Sequence, residues 1–227
     1  MVDYRKSIIC LANSRKTSGR CIAGIELIDG QAGAWIRPVS KRDSAELSEA
    51  DRNYSDGSGP KVFDIITVRF ISQKQHAFQT ENHLINDGYY FTLSGQATFD
   101  QVSALVDRTG RPLWYNFSSS YNGLRDRIDI QNIRPEEGSL RLIEVNDLEI
   151  TVGVEGAAFN NAKRKVRGRF SLNGVQHYLS ITDPVIEKSA LEQNDGTHPV
   201  GYAILCLSLG EIYQDYTYKL IASVITR

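Results

Sequence analysis

The residues in this chain that could do chemistry fall into four groups, and the densest is near the start. Asn13-Ser14-Arg15-Lys16 places an amide, a hydroxyl and two cations at the end of an apolar run, and Arg20 follows just after Gly19. Arg37 ends a third apolar run, two residues after Trp35. Cations beside hydroxyl and amide donors bind a phosphate through charge-assisted hydrogen bonds. A tryptophan next to them can stack on a base. The same residues also suit a solvated turn and an ordinary packing tryptophan, so two readings stand: a phosphate-holding wall, or polar strand ends.

The second group is His76, Gln79, Glu81, Asn82 and His83. A histidine beside a carboxylate suffices for general acid–base work. The same side chains also read base edges by hydrogen bonding, or make a plain polar loop. No nucleophile elbow or paired-carboxylate motif accompanies them. No HExxH pattern points to a metal. The third group is Lys163-Arg164-Lys165-Val166-Arg167-Gly168-Arg169, where five of seven residues are basic. On a strand, Lys163, Lys165, Arg167 and Arg169 share one face at a spacing of about 6–7 Å, which suits phosphates along a single strand. The bland alternative is a solvated face offset by the acidic stretch 136–155. The fourth group, Thr182 and Asp183, precedes Pro184 and fits the N-cap of a helix.

These groups need elements to hold them. Residues 7–40 read as three short strands, Ser7–Ala12, Cys21–Leu27 and a third closing at Pro38, with Asp29-Gly30 as a turn. Gly24 faces opposite the apolar side of its strand, where the backbone of a neighbour can approach closely. Residues 41–60 form a polar connector with a short helical turn. Val62–Ile71 is a β-branched strand, Gly88–Leu93 a short aromatic one, and Phe99–Asp107 a short helix capped by Thr98. Arg127–Ile133 reads as a strand, and Pro135-Glu136-Glu137-Gly138 as a boundary. Beyond it, Leu140–Val145, Leu148–Val154, Lys165–Leu172, Tyr178–Ile181, Ala203–Leu209 and Tyr218–Ile225 read as strands, with a hairpin at Asn173-Gly174 and a helix over Pro184–Leu191. Both halves have the rhythm of a five-stranded Greek-key barrel of the OB type.

Bulk properties narrow the function classes. With 227 residues the chain is long enough for one large domain or two small ones. The net charge of −1 gives no global argument for nucleic acid or an anionic membrane, so any basic site is local. Cys10, Cys21 and Cys206 are an odd set inside apolar runs, which suits reduced core cysteines rather than a disulfide framework. No cofactor and no metal are expected, because the histidines have no ligand spacing with these cysteines. The first apolar run is too short for a signal peptide, and no segment reaches the length of a membrane helix. The expected location is cytoplasmic, with no membrane partner.

IICLANSRK with GRCIAG, then WIRPVS, QHAFQTEN, LSITDP, CLSLGE and YKLIASVI resemble the dual OB-containing domain family, a prokaryotic domain associated with anti-phage conflict systems. The resemblance spans residues 7 to about 225. It implies two OB barrels in tandem and a role in binding nucleic acid or a nucleotide in a defence setting, with a possible operon partner. It points to Ser14, Arg15, Lys16, Arg20, Arg37, His76, Gln79, Glu81, Asn82, Thr182 and Asp183. It implies no catalytic activity.

The expectation is therefore a mainly β protein with two tandem OB-like Greek-key barrels and a few short helices, divided as 1–135, with a polar insertion near 41–60, and 136–227. Its expected function is a binding module for single-stranded nucleic acid or a nucleotide-like phosphate ligand. Two alternatives are carried. One is an enzyme acting on a nucleotide or modified nucleic acid, with His76 or Glu81 as acid/base; convergence of these with Arg15 and Arg37 in one deep pocket would favour it. The other is a protein–protein adaptor, favoured by a large exposed apolar patch away from the basic residues.

Overall fold

The computed structural model describes residues 3–227 and is mainly β. Its contacts divide it into two units, residues 1–105 with 135–139, and residues 106–134 with 140–227. This differs from a cut at residue 135. Residues 127–129 pair with the last strand of the second unit, and Ser139 is held by side chains of the first.

The first unit runs β1 (Tyr4–Lys16), β2 (Gly19–Ile28), β3 (Gln31–Val39), α1 (Glu49–Arg52), β4 (Asp64–Gln73), β5 (Asn82–Ile85), β6 (Thr92–Gln96) and α2 (Phe99–Ser103). The strand order is β1-β2-β3-β5-β4-β6, and β1 closes on β4. β3 and β5 run parallel; the other closing pairs are antiparallel. This is the closed order of an OB barrel, 1-2-3-5-4-1.

The second unit repeats it. β7 (Arg127–Asp129) is followed by β8 (Leu140–Glu155), β9 (Lys163–Leu172), β10 (Val175–Ile181), α3 (Pro184–Leu191), β11 (Gly196–Leu209) and β12 (Tyr216–Ile225). The order β8-β9-β10-β12-β11 closes through β8–β11, with β10 and β12 parallel. In each barrel a helix lies between the third and fourth strands.

Local chemistry explains the elements. Asp29-Gly30 and Asn173-Gly174 join the second and third strands of their barrels. All four residues have positive φ (51°, 80°, 52° and 76°), as a tight type I′ hairpin turn requires. At Gly24 a Cβ would lie 2.2 Å from the Ile9 carbonyl oxygen, so only glycine lets β1 pass this close. Thr98 and Gln101 form a capping box on α2. Asp183 caps α3 by accepting from the backbone N–H groups of Val185 and Ile186.

Several sequence expectations shift. Asn13–Lys16 is not a turn: Asn13, Ser14 and Arg15 pair across to Ile22, Cys21 and Arg20, and the chain reverses at Thr17-Ser18. Gly88–Tyr90 lies outside the strand, because Asn86 ties down the backbone N–H groups of Gly88 and Tyr89; β6 begins at Thr92. The strand at Arg127 ends at Asp129, whose carboxylate accepts from the Gln131 N–H and starts a 3-10 turn. Leu140–Val145 and Leu148–Val154 are one 16-residue strand that continues through Asn146-Asp147, with its register to β11 shifting there between Pro199 and Ala203.

The core of the first barrel includes Ile8, Cys10, Ile22, Ile36, Leu47, Ile66, Val68, Phe70 and Ile85. Ile9, Ala23, Ile25 and Arg37 alternate with core residues and so point to the other face of the sheet, yet they too are buried.

Candidate functional site

In the first barrel the parallel pairing of β3 with β5 sets Arg37 beside Asn82. The Arg37 guanidinium is 2% exposed and pairs with Glu81 at 3.1 Å. It also donates to the Ser139 hydroxyl at 2.9 Å, and that hydroxyl donates to the Glu81 carboxylate. Gln79 accepts from the Asn82 amide at 3.2 Å. Arg37, Gln79, Glu81 and Asn82 are thus brought together, but in a buried network that uses up the charge. Arg37 Nε and Asn82 Oδ1 remain without hydrogen-bond partners.

The other residues of the first group lie elsewhere. Ser14 is buried and its hydroxyl donates weakly to the Cys21 carbonyl at 3.4 Å. Arg15 is exposed, and Lys16, Arg20 and Trp35 are half-buried. Arg15 and Arg20 face each other at the β1–β2 end. His76 is exposed, in a turn closed by paired backbone bonds with Gln79. That turn follows the end of β4 that pairs beside the start of β1, so it leaves the sheet at the end opposite Arg15. The single wall joining Arg15, Arg37 and His76 does not form. Strand register separates the two ends, and Glu81 holds Arg37 inside. His83 is buried against Tyr4, whose hydroxyl lies 2.6 Å from Nδ1; burial, then Lys6, holds the imidazole below its ordinary pKa.

The second barrel treats its polar residues differently. β9 carries Val166, Gly168 and Phe170 inward, and Lys163, Lys165, Arg167 and Arg169 outward. Lys163 and Lys165 are exposed and Arg169 is half-buried. Tyr178, opposite Arg169 on β10, lies under two guanidinium groups, 4.8 Å from Arg169 and 5.6 Å from Arg167. Arg167 departs from the expected row: it is 8% exposed, bound through two nitrogens to Glu155 at 2.5 and 3.0 Å, and 3.6 Å from Asp126. The cause is Glu155, on the neighbouring strand β8, which reaches across to it. Arg164 takes no part in the face. It caps the end of α3 by donating to the Leu191 and Gln193 carbonyls, and it pairs with Asp195.

Thr182 and Asp183 serve the fold. Thr182 binds the Ile221 carbonyl through both its N–H and its hydroxyl. Asp183 caps α3 and also accepts from the Val224 N–H at 3.2 Å.

Two features of this barrel lie outside the groups read from the sequence. Lys219 is fully buried, and its ammonium donates to the Tyr115 carbonyl at 2.6 Å and the Asn116 amide oxygen at 2.7 Å. Burial brings its pKa down to about 7, with Asp126 and Arg125 acting in opposite directions. His177, also fully buried, stacks on Phe170 at 5.3 Å, and burial followed by Lys219 and Arg125 pushes its pKa to about 3. The alternation of β10 and β12 could have placed both inward. A cleft of about 620 Å³ lies beside β8 and the Asn173 hairpin. Its cations are offset by carboxylates: Arg108 pairs with Glu144 at 3.2 Å, and Asp107 and Asp147 line the same walls.

With both barrels sharing one closure and one helix position, the family match can be placed. The dual OB-containing domain model matches residues 6–224. The chain belongs to the dual OB-containing domain family. No curated protein and no solved structure matches it. Among the described residues no helix is long and apolar enough to cross a membrane. OB barrels bind oligonucleotides and oligosaccharides on the face of their second and third strands and the loops beside it. The second and third strands of this chain's barrels are β2–β3 and β9–β10.

Proposed function

We propose that this chain is a binding module for single-stranded nucleic acid, or for a ligand of nucleotide-phosphate chemistry, and that it works through the β9–β10 face of the second barrel. One observation carries the reading. The basic strand falls at the second-strand position of an OB barrel, with Tyr178 beside it on the third strand. Lys163, Lys165 and Arg169 would hold phosphates, and Arg167 would lie beneath them. The defence setting implied by the family resemblance suits such a module. The enzymatic alternative draws no support from the geometry, because Glu81 is buried against Arg37 while His76 is exposed on a turn.

The test is binding of labelled single-stranded DNA and RNA across a salt series. Three phosphate contacts give a slope of log K against log salt of about −2, and each Lys→Ala change at Lys163 or Lys165 reduces it by about 0.7. Wild-type protein with no salt-dependent binding to either polymer would sink the reading.

A further inference from the structure

The segment 115–127 carries aromatic side chains that the fold leaves outside. Phe117 is 86% exposed and Tyr121 84%, and Tyr213, on the turn before β12, is 62% exposed. Burying a ring of this size contributes about 1.5–3 kcal/mol to folding, and two rings this exposed within five residues forgo most of that contribution.

Their place in the barrel is fixed by backbone pairing. Leu124 exchanges both backbone hydrogen bonds with Tyr178 at 3.1 and 3.0 Å. Arg125 donates to the Gln176 carbonyl at 3.0 Å. On its other side the segment meets β7 through the Ser118–Arg127 bridge, and β7 pairs with β12 at Tyr216 and Tyr218. The segment therefore stands beside β10, next in line after the cations of β9 and the ring of Tyr178.

Guanidinium groups alternate with rings along this line. Arg169 lies over Tyr178, and Arg127 lies 4.0 Å over the Tyr216 ring while its Nε donates to the Ser118 hydroxyl at 3.1 Å. Phe117 meets Tyr115 edge-on at 5.1 Å. Interleaved rings and cations are the surface on which successive unpaired bases stack while phosphates are neutralised. β9 and β12 flank β10 on its two sides, two strand spacings or roughly 10 Å apart, which is longer than one nucleotide.

From this we infer that residues 115–127 and the Tyr213 turn form a base-stacking platform that extends the β9–β10 face, so that the ligand is an unpaired polymer several nucleotides long rather than a mononucleotide. The inference rests on the function proposed above and deepens it. Phe117 and Tyr121 are the stacking residues, Tyr213 marks the far end, and the cations of β9 supply the phosphate contacts.

The experiment uses the full chain and a fluorescein-labelled twelve-nucleotide thymidine oligomer, with a duplex of equal length and thymidine monophosphate as competitors. Phe117→Ala and Tyr121→Ala are each expected to weaken oligomer binding on the order of 10-fold while leaving the salt slope unchanged. Phe117→Leu keeps the apolar bulk and removes the π face; it should behave as Phe117→Ala does. Lys163→Ala/Lys165→Ala should instead flatten the salt slope. Competition by the duplex or the monophosphate should be at least 10-fold weaker than by the unlabelled oligomer. Aromatic variants that bind like wild type, while the lysine variant loses affinity, overturn the platform and leave the β9–β10 reading standing. A Phe117→Leu variant that binds like wild type, or a duplex or monophosphate that competes as well as the oligomer, also overturns it. No salt-dependent binding by wild type overturns both.

Discussion

The two barrels share a strand order, a type I′ turn between the second and third strands, and a second-strand glycine at which a Cβ would clash, with the Ile9 carbonyl at Gly24 and with Ile221 at Gly168, yet they present different surfaces at the same place. In the first barrel Ile9, Ala23 and Ile25 on the outward side of β1–β3 are buried, and Arg37 beside them is bound by Glu81. In the second barrel the corresponding strands expose Lys163 and Lys165 and set Arg169 over Tyr178. One topology thus supports a sealed face and an open one, and the choice lies in side chains at alternate positions. Carboxylates are present on both: on β8, Glu149 lies opposite Arg169 and Glu155 opposite Lys163, so the two surfaces differ in how far their cations are exposed.

The largest test of that contrast is at Glu81. Glu81→Ala leaves the Arg37 guanidinium buried and unpaired, and should cost about 3–5 kcal/mol in denaturant unfolding. Binding per folded molecule should not change. A cost below about 1 kcal/mol would remove the distinction between a sealed charge and a solvated one.

Acid sharpens the comparison next. His177 has a pKa of about 3 when folded against 6.5 as its ordinary value, so between these pH values the unfolded chain binds a proton that the folded chain does not. Stability then falls as pH falls through this window, by up to about 1.4 kcal/mol per pH unit from this group. Lys219, lowered from 10.5 to about 7, acts the same way at higher pH: its stabilising contribution is complete above 10.5 and is lost as pH falls toward 7. Unfolding curves between pH 6 and 4 should flatten in His177→Leu. An unchanged slope would refute the assignment to the second barrel's core.

The smallest effect compares the two hairpins. Asn173 donates to the carbonyls of Gly110 and Arg111 at 3.1 and 3.3 Å. Asp29, its counterpart, is on an exposed turn. Asn173→Ala should therefore destabilise by about 1 kcal/mol more than Asp29→Ala. Equal costs would mean that these two bonds contribute nothing.

Much of the fold was legible because it depends on local chemistry. Positive-φ pairs at Asp29-Gly30 and Asn173-Gly174, the caps at Thr98 and Asp183, and β-branched runs all report on their own neighbourhoods. The site was less legible for the same reason. Ser14-Arg15-Lys16 reads as a turn in sequence, but pairing with β2 makes it strand and buries Ser14. Nothing near Arg37 in sequence announces Glu81, 44 positions away, because that partner is set by the parallel β3–β5 register. The basic strand was found because alternation within one element suffices to see it. Glu155 on Arg167, and the exposed rings at Phe117 and Tyr121, required the tertiary pairing.

The five residues Pro135–Ser139 leave one further consequence. They belong to the first unit although the chain on both sides of them belongs to the second, and Ser139 joins Arg37 to Glu81. No single cut in the polypeptide releases both barrels whole. A fragment ending near residue 105 lacks the hydroxyl that bridges its buried ion pair, and one beginning near residue 140 lacks the strand at Arg127. Gene fragments that treat the barrels as beads on a string would each lack a part, whereas a covalently nicked but complete chain would retain every piece.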